Sequence, residues 1–374
     1  MSSIVVAGDT SGSVTLSAPA VAGSTVLTLP SVSGTVLTDQ SSLNYTGFKN
    51  RIINGAMGIW QRGTTYALTT SIAYGSVDRF AGLQYTAANG VLAQVASGLT
   101  GFTYALKVGR NNAATGIGIV EIAQAIESSN SMDLQGNTVT ISFWAKAGAN
   151  FSATSSLITV QLVSGTGTDQ SVIAQVGGSW TGVTYPINTT QAITTTWTRY
   201  SLTGTMPSNT NQVGIQIYYT PVGTAGADDS LYITGVQLEK GSTATSFDYR
   251  PYGTELILCQ RYLPAFTNTV SGTYTISNAG GIVTTTTARI TIPFQVATRV
   301  PPTGLTTTAA SGFFLYNGSQ INQSPTAVTL AAPGIYQSEI TATFPAISAA
   351  GQGQFTCFWF QTLGAQLLFT GCEL

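Results

Sequence analysis

Histidine is absent from all 374 residues, and Asp, Glu, Lys and Arg together make up only 7% of the chain. An ordinary soluble domain carries about 25% charged residues. Without histidine, the commonest general base near neutral pH and the commonest metal ligand are both missing. A Ser or Cys nucleophile would then lack its usual activating imidazole. The formal net charge is −1, so no broad basic patch exists to neutralise a run of phosphates, and nucleic acid is excluded as a partner. Cysteine is scarce: Cys259, Cys357 and Cys372 are an odd number with no CxxC spacing. They read as small buried thiols, with a Cys357–Cys372 bridge as the alternative. No apolar run is long enough for a spanning helix. The opening Met1-Ser2-Ser3-Ile4 lacks the basic and apolar regions of a signal peptide. These absences point to a structural or binding protein that is not an enzyme and needs no cofactor or metal.

What replaces charge is Ser, Thr, Asn, Gln and Gly, set in short alternating runs. Hydrophobic residues still make up 43% and aromatics 10%, enough for sizeable cores. Val139, Ile141, Phe143 and Ala145 alternate with polar or outward residues. So do Ile158, Val160 and Leu162; Tyr200, Leu202, Gly204 and Met206; and Val213, Ile215, Ile217 and Tyr219. A period of two places one face on a core and the other in water. Gly118 to Ser128 fits a helix or a strand. Gly12, Gly23 and Gly34 recur every 11 residues ahead of β-branched runs, which reads as short strands joined by turns. Residues 1–43 are too few to bury a core alone and read as an anchor. Residues 44–252 hold strands with close turn signals, the pattern of a jelly-roll sandwich. A break at Arg250-Pro251-Tyr252-Gly253 precedes a helix or strand linker over 254–263. Residues 253–374 then form a smaller C-terminal β unit, in which Pro293 suits an edge strand or a bulge. The fold class is thus all-β: a jelly-roll β-sandwich plus a smaller C-terminal β-sandwich, with an extended N-terminal β segment.

Candidate chemistry is thin. A glycoside hydrolase needs two opposed carboxylates; Asp78, Glu121, Asp228, Asp229, Glu239 and Asp248 are available, but spacing pairs none of them. Asp228-Asp229 offers oxygens for calcium, yet two carboxylates fall short of the six to eight ligands required, and a solvated turn is the simpler reading. Aromatics are the better lead. A sugar ring stacks on Trp or Tyr, and Trp144, Trp180, Tyr185, Tyr218 and Tyr219 are the candidate ligand-binding residues. Tyr218 and Tyr219 point to opposite faces of one strand, and Trp144 turns away from the inward set. The competing role for these rings is a second core or an interface.

Several segments, taken in order, resemble a known family. They are Asn50-Arg51-Ile52-Ile53-Asn54-Gly55-Ala56-Met57 with Trp60-Gln61-Arg62-Gly63, Ser76-Val77-Asp78-Arg79-Phe80, Ser142-Phe143-Trp144-Ala145-Lys146-Ala147 and Thr196-Trp197-Thr198-Arg199-Tyr200-Ser201. Val236-Gln237-Leu238-Glu239-Lys240-Gly241, Ser246-Phe247-Asp248-Tyr249-Arg250-Pro251 and Glu255-Leu256-Ile257-Leu258-Cys259-Gln260-Arg261-Tyr262 complete the set. Together they resemble tail-fibre and related virion proteins of tailed bacteriophages, whose jelly roll is like a carbohydrate-binding module. The resemblance implies a homotrimer on a virion that attaches to a host-surface glycan or protein and contacts other virion proteins through residues 1–43. A head fibre, decoration or baseplate protein without a receptor is the alternative. The charged residues in these segments are expected to be structural, with any buried charge paired.

Overall fold

A computed structural model describes residues 3–7, 11–17, 49–86, 89–317, 322–346 and 353–374. The chain divides into two compact units, Met1–Asn44 and Tyr45–Leu374. In the first, Ser3–Ala7 and Ser13–Ser17 pair as an antiparallel hairpin with Val5 opposite Thr15. The expected strands after Gly23 and Gly34 lie outside the described residues.

The second unit begins with a two-sheet sandwich. One sheet has five strands in the order Thr184–Ala192, Leu157–Gly165, Gln212–Tyr219, Val120–Ile126, Ala81–Gln84. The other has six: Thr198–Thr205, Thr138–Ala147, Ser230–Lys240, Phe102–Arg110, Gly90–Leu99, Thr65–Ala67. Neighbours are antiparallel and largely non-sequential, as in a jelly roll. The alternating sets meet between the sheets. Val139, Ile141 and Phe143 face Ile158, Val160, Leu162, Val213, Ile215 and Ile217 in one cluster, each at most 1% exposed. Gly118 to Ser128 resolves as the strand Val120–Ile126. Ile122 and Ile126 of that strand face the same core. Gly235 makes a bulge in Ser230–Lys240 at φ +62°, and a Cβ there would stand 2.7 Å from the Phe102 ring. Only glycine tolerates both conditions.

One end of this sandwich is closed by the Asn54-Gly55 turn. Asn54 has φ 61°. Its Nδ2 donates to Ile59 O (2.9 Å) and Asp78 O (3.0 Å), and its Oδ1 accepts from the Gly58 and Ile59 N–H groups. Gln124, fully buried, exchanges two 2.9 Å hydrogen bonds with the Ile53 backbone. The helix Tyr252–Gln260 follows and packs Cys259 with Ile53, Ile59 and Tyr262.

The C-terminal strands build a second sandwich. A three-stranded sheet (Ala265–Thr267, Gln366–Thr370, Gly304–Thr307) covers a seven-stranded one through Phe313, Phe358, Ile290, Ile340, Leu367 and Phe369. Thr287–Pro293 is an interior strand of the larger sheet, not an edge, and Pro293 is its last residue. Its missing N–H therefore falls where the ladder ends. The two sandwiches are tied together by charge. Glu373 pairs with Arg62 (3.0 Å) and with Arg79, whose guanidinium lies 3.5 Å from the Tyr262 ring centroid. Arg261 forms two hydrogen bonds to Glu127, at 2.8 and 2.9 Å. All three cysteines are free thiols.

Candidate functional site

The outer face of the five-stranded sheet is only partly bare. The helix Val172–Val176, Trp180 and Leu374 cover one part of it, burying Ala81, Leu83, Ala123, Ala125 and Val163 beneath them. The uncovered part includes a cleft of about 380 Å³. Neighbouring strands set its floor by register: Gln161 lies opposite Gln216, and Tyr218 opposite Glu121. Tyr185, 39% exposed, and Tyr85, 51% exposed, also line it.

Glu121 is the chemically unusual member. It is 6% exposed, and burial pushes its carboxyl up to about 8 from the ordinary 4.5. Unlike Glu127, held by Arg261, it has no cation beside it among the described residues. At neutral pH it is largely protonated and can donate as well as accept. Aromatic faces, two amides and a neutral carboxyl around an open trough suit a polyhydroxylated ligand better than a charged one.

Of the five aromatic candidates, the structure brings Tyr185 and Tyr218 together in this cleft. Trp180 is 2% exposed; its indole donates to Ser171 O (3.0 Å), and it forms part of the cover. Tyr219 is 1% exposed and donates its hydroxyl to Asp229 O (3.0 Å) in the sandwich core. Both rings are structural: Trp180 belongs to the layer over the outer face, which its polar sequence neighbours do not reveal, and Tyr219 continues the inward alternation of Val213, Ile215 and Ile217. Trp144 is half-buried on the outer face of the other sheet, in register with Arg199 and Thr234. Tyr85, Gln161 and Gln216 had no signal beyond their polar or outward place in alternating runs.

The carboxylates are mostly spoken for. Asp78 accepts from the Gln61 backbone (3.0 Å) and side chain, and burial pushes it up to about 6. Asp229 pairs with Arg110 at 2.7 Å, both side chains fully buried. Arg110 also donates to the carbonyls of Ala114, Gly116, Val222 and Gly223. Asp228 accepts from Tyr232 (2.7 Å) and pairs with Lys107 (3.4 Å). Asp228 is thus a part-exposed turn residue paired with Lys107, while Asp229 is buried against Arg110. Glu121 is the one carboxylate lining the cleft among the described residues.

No protein-family model and no curated protein matches the sequence. Solved structures that resemble it do so over about half of the chain. A family 4 carbohydrate-binding module matches at 16% identity, covering 50% of this chain and 98% of its own, with a TM-score of 0.29. A family 61 carbohydrate-binding module solved with β-1,4-galactotriose matches at 13% identity, covering 52% and 99%, TM-score 0.29. The enzymatically active domain of tailspike protein 4 from bacteriophage CBA120 matches at 12% identity, covering 51% of this chain and 21% of its own, TM-score 0.29.

Proposed function

We propose that this is a glycan-binding, non-hydrolytic fibre protein of a bacteriophage virion. It acts as a homotrimer, is joined to other virion proteins through residues 1–43, and attaches to a host-surface glycan. The observation that carries the binding reading is the cleft itself: Tyr85, Tyr185 and Tyr218 around Glu121, Gln161 and Gln216 on the outer face of the five-stranded sheet. Binding rather than hydrolysis is favoured because the cleft offers one carboxylate where glycosidases use two. Association of copies is supported by Phe355, 87% exposed at the start of the aromatic strand Phe355–Phe360, and by near-zero net charge, which opposes self-association little. Each site is individually weak, and several copies on one particle supply avidity.

The test is affinity electrophoresis of the full chain through gels containing host-surface polysaccharide, with Tyr185→Ala and Tyr218→Ala beside the native protein. Loss of one stacking ring should weaken binding about five- to tenfold. Native mobility unchanged by glycan, or variants as retarded as the native chain, would defeat the cleft assignment. Release of reducing ends would defeat the non-hydrolytic one. Excess soluble protein should block phage adsorption. If it does not while antibody still labels the particle, the chain is an architectural head-fibre, decoration or baseplate component. Light scattering should give three times the 38.8 kDa chain mass.

A further inference from the structure

The outer face of the six-stranded sheet carries a second cleft of about 590 Å³, lined by Lys146, Trp197, Asp228 and Tyr232. Its chemistry differs from that of the Glu121 trough. Lys146 and Tyr232 are cross-strand partners, and so are Tyr232 and Lys107, so three adjacent strands present them side by side. The Lys146 ammonium lies 5.2 Å from the Trp197 ring centroid and 5.0 Å from that of Tyr232. The Trp197 indole is pinned by a 2.8 Å hydrogen bond to Ser97 O.

The charges there do not cancel. Asp228 is satisfied by Tyr232, by the Ala149 N–H (3.2 Å) and by Lys107. Those partners hold its carboxyl below the ordinary value although partial burial acts in the opposite sense. Seven of the eight ion pairs among the described residues use an arginine, Lys107–Asp228 being the exception. Lys146 enters none of them; among the described residues its ammonium is held by two ring faces. In a chain with 13 cationic residues, this places an uncommitted positive charge beside a fixed, half-buried tryptophan face at the wall of a cleft. A sugar ring that stacks on Trp197 displaces the Lys146 ammonium from over that ring to the sugar's edge, within reach of a C6 carboxylate.

We propose that this cleft is a second carbohydrate site, selective for an acidic sugar, a hexuronate unit of a polysaccharide, with Trp197 as stacking platform and Lys146 as carboxylate partner. It lies on the opposite sheet from the Tyr185–Tyr218 trough and does not depend on it.

The test is affinity electrophoresis and calorimetry of the full chain with polygalacturonate, neutral galactan and dextran sulfate at low and at physiological salt. Native protein should bind polygalacturonate. Lys146→Gln should weaken that binding at least tenfold with an unchanged melting temperature, and Lys146→Arg should largely restore it. Trp197→Ala should weaken it comparably, with Trp197→Phe as the variant that keeps a ring if the alanine form does not fold. Tyr185→Ala and Tyr218→Ala should leave it unchanged. Native protein that ignores polygalacturonate overturns the proposal, as does Lys146→Gln binding at native strength. Equal retention by dextran sulfate with no effect of either Trp197 variant also overturns it, since that is sequence-independent polyanion attraction. Loss of neutral-glycan binding in the Tyr variants alone speaks only to the first trough.

Discussion

Glu121→Gln isolates the energetic cost of placing a lone carboxyl on the floor of the trough. In the folded chain that carboxyl titrates near 8 because burial disfavours its ionised form; unfolded, it returns to about 4.5. The folded value is the higher one. Below pH 4.5 both states are protonated and the favourable contribution is fully present. As pH rises through 8 the unfolded state has released its proton and the folded state is made to follow, so that contribution is lost. The slope is about 1.4 kcal/mol per pH unit over that window, a ceiling of about 5 kcal/mol. Discounted for solvent screening at the open trough, the contribution is about 3 kcal/mol. Glutamine does not titrate. The stability of the variant relative to native should therefore rise by that amount between pH 4.5 and pH 8. Asp78, also pushed up, to about 6, gives a slope of the same sign, but it is present in both proteins and cancels in the difference. Melting curves at pH 4.5, 6 and 8 measure it; with about 2.1 cal/mol/K per residue over the unit Tyr45–Leu374, about 3 kcal/mol corresponds to roughly 4 °C. Melting temperatures of native and variant that run parallel within 2 °C across this range would refute the burial argument for Glu121, and with it the neutral donor assigned to the trough.

Asp229→Asn should cost about 3–5 kcal/mol in denaturant unfolding, because it leaves the fully buried Arg110 guanidinium without its counter-charge; a chelator should not move the native melting temperature, since Arg110 already fills that position. Gly55→Ala should destabilise by about 2 kcal/mol or more, because a Cβ there collides with the Val236 carbonyl, and should lower soluble yield. Glu373→Gln removes the anion shared by Arg62 and Arg79, and hydrogen exchange should rise along Gly371–Leu374 and around Tyr262 while the two sandwich cores stay protected.

Much of the fold was legible because its strands bury one face and expose the other. Val213, Ile215, Ile217 and Tyr219 could be assigned inward from spacing alone, as could Val139, Ile141, Phe143 and Ala145, and the structure places all of them in one core. Val120–Ile126 was ambiguous for a physical reason. Both its faces are covered, by the main core on one side and by Trp180, Val172 and Leu374 on the other. A strand buried twice loses the alternation that marks it. Pro293 misled because the expectation treated its strand as uniform, when only its final residue lacks a donor.

The site was half legible for a related reason. Spacing says which way Tyr218 and Tyr219 point, but not what lies over each face. On the five-stranded sheet a five-residue helix and the final residues of the chain decide which outward side chains are covered and which stay open. Trp180 and Tyr185 sit five residues apart in similarly polar sequence, and only that long-range packing separates a core ring from an exposed one. The segments that carried the family resemblance are a different case. Asn54, Asp78, Arg79, Gln237, Glu239, Arg250 and Arg261 converge where the helix Tyr252–Gln260 meets the jelly roll, joined by hydrogen bonds such as Arg250 to Ile52 O (3.1 Å) and the Asp248 N–H to Gln237 Oε1 (2.8 Å). Those residues help to join the two sandwiches, whereas the segments Ser142–Ala147 and Thr196–Ser201 carry Lys146 and Trp197 of the cleft proposed for an acidic sugar. A chain could keep the joining residues while exchanging Tyr85, Gln161, Tyr185 or Lys146, and so hold its architecture while changing the ligand proposed for either cleft.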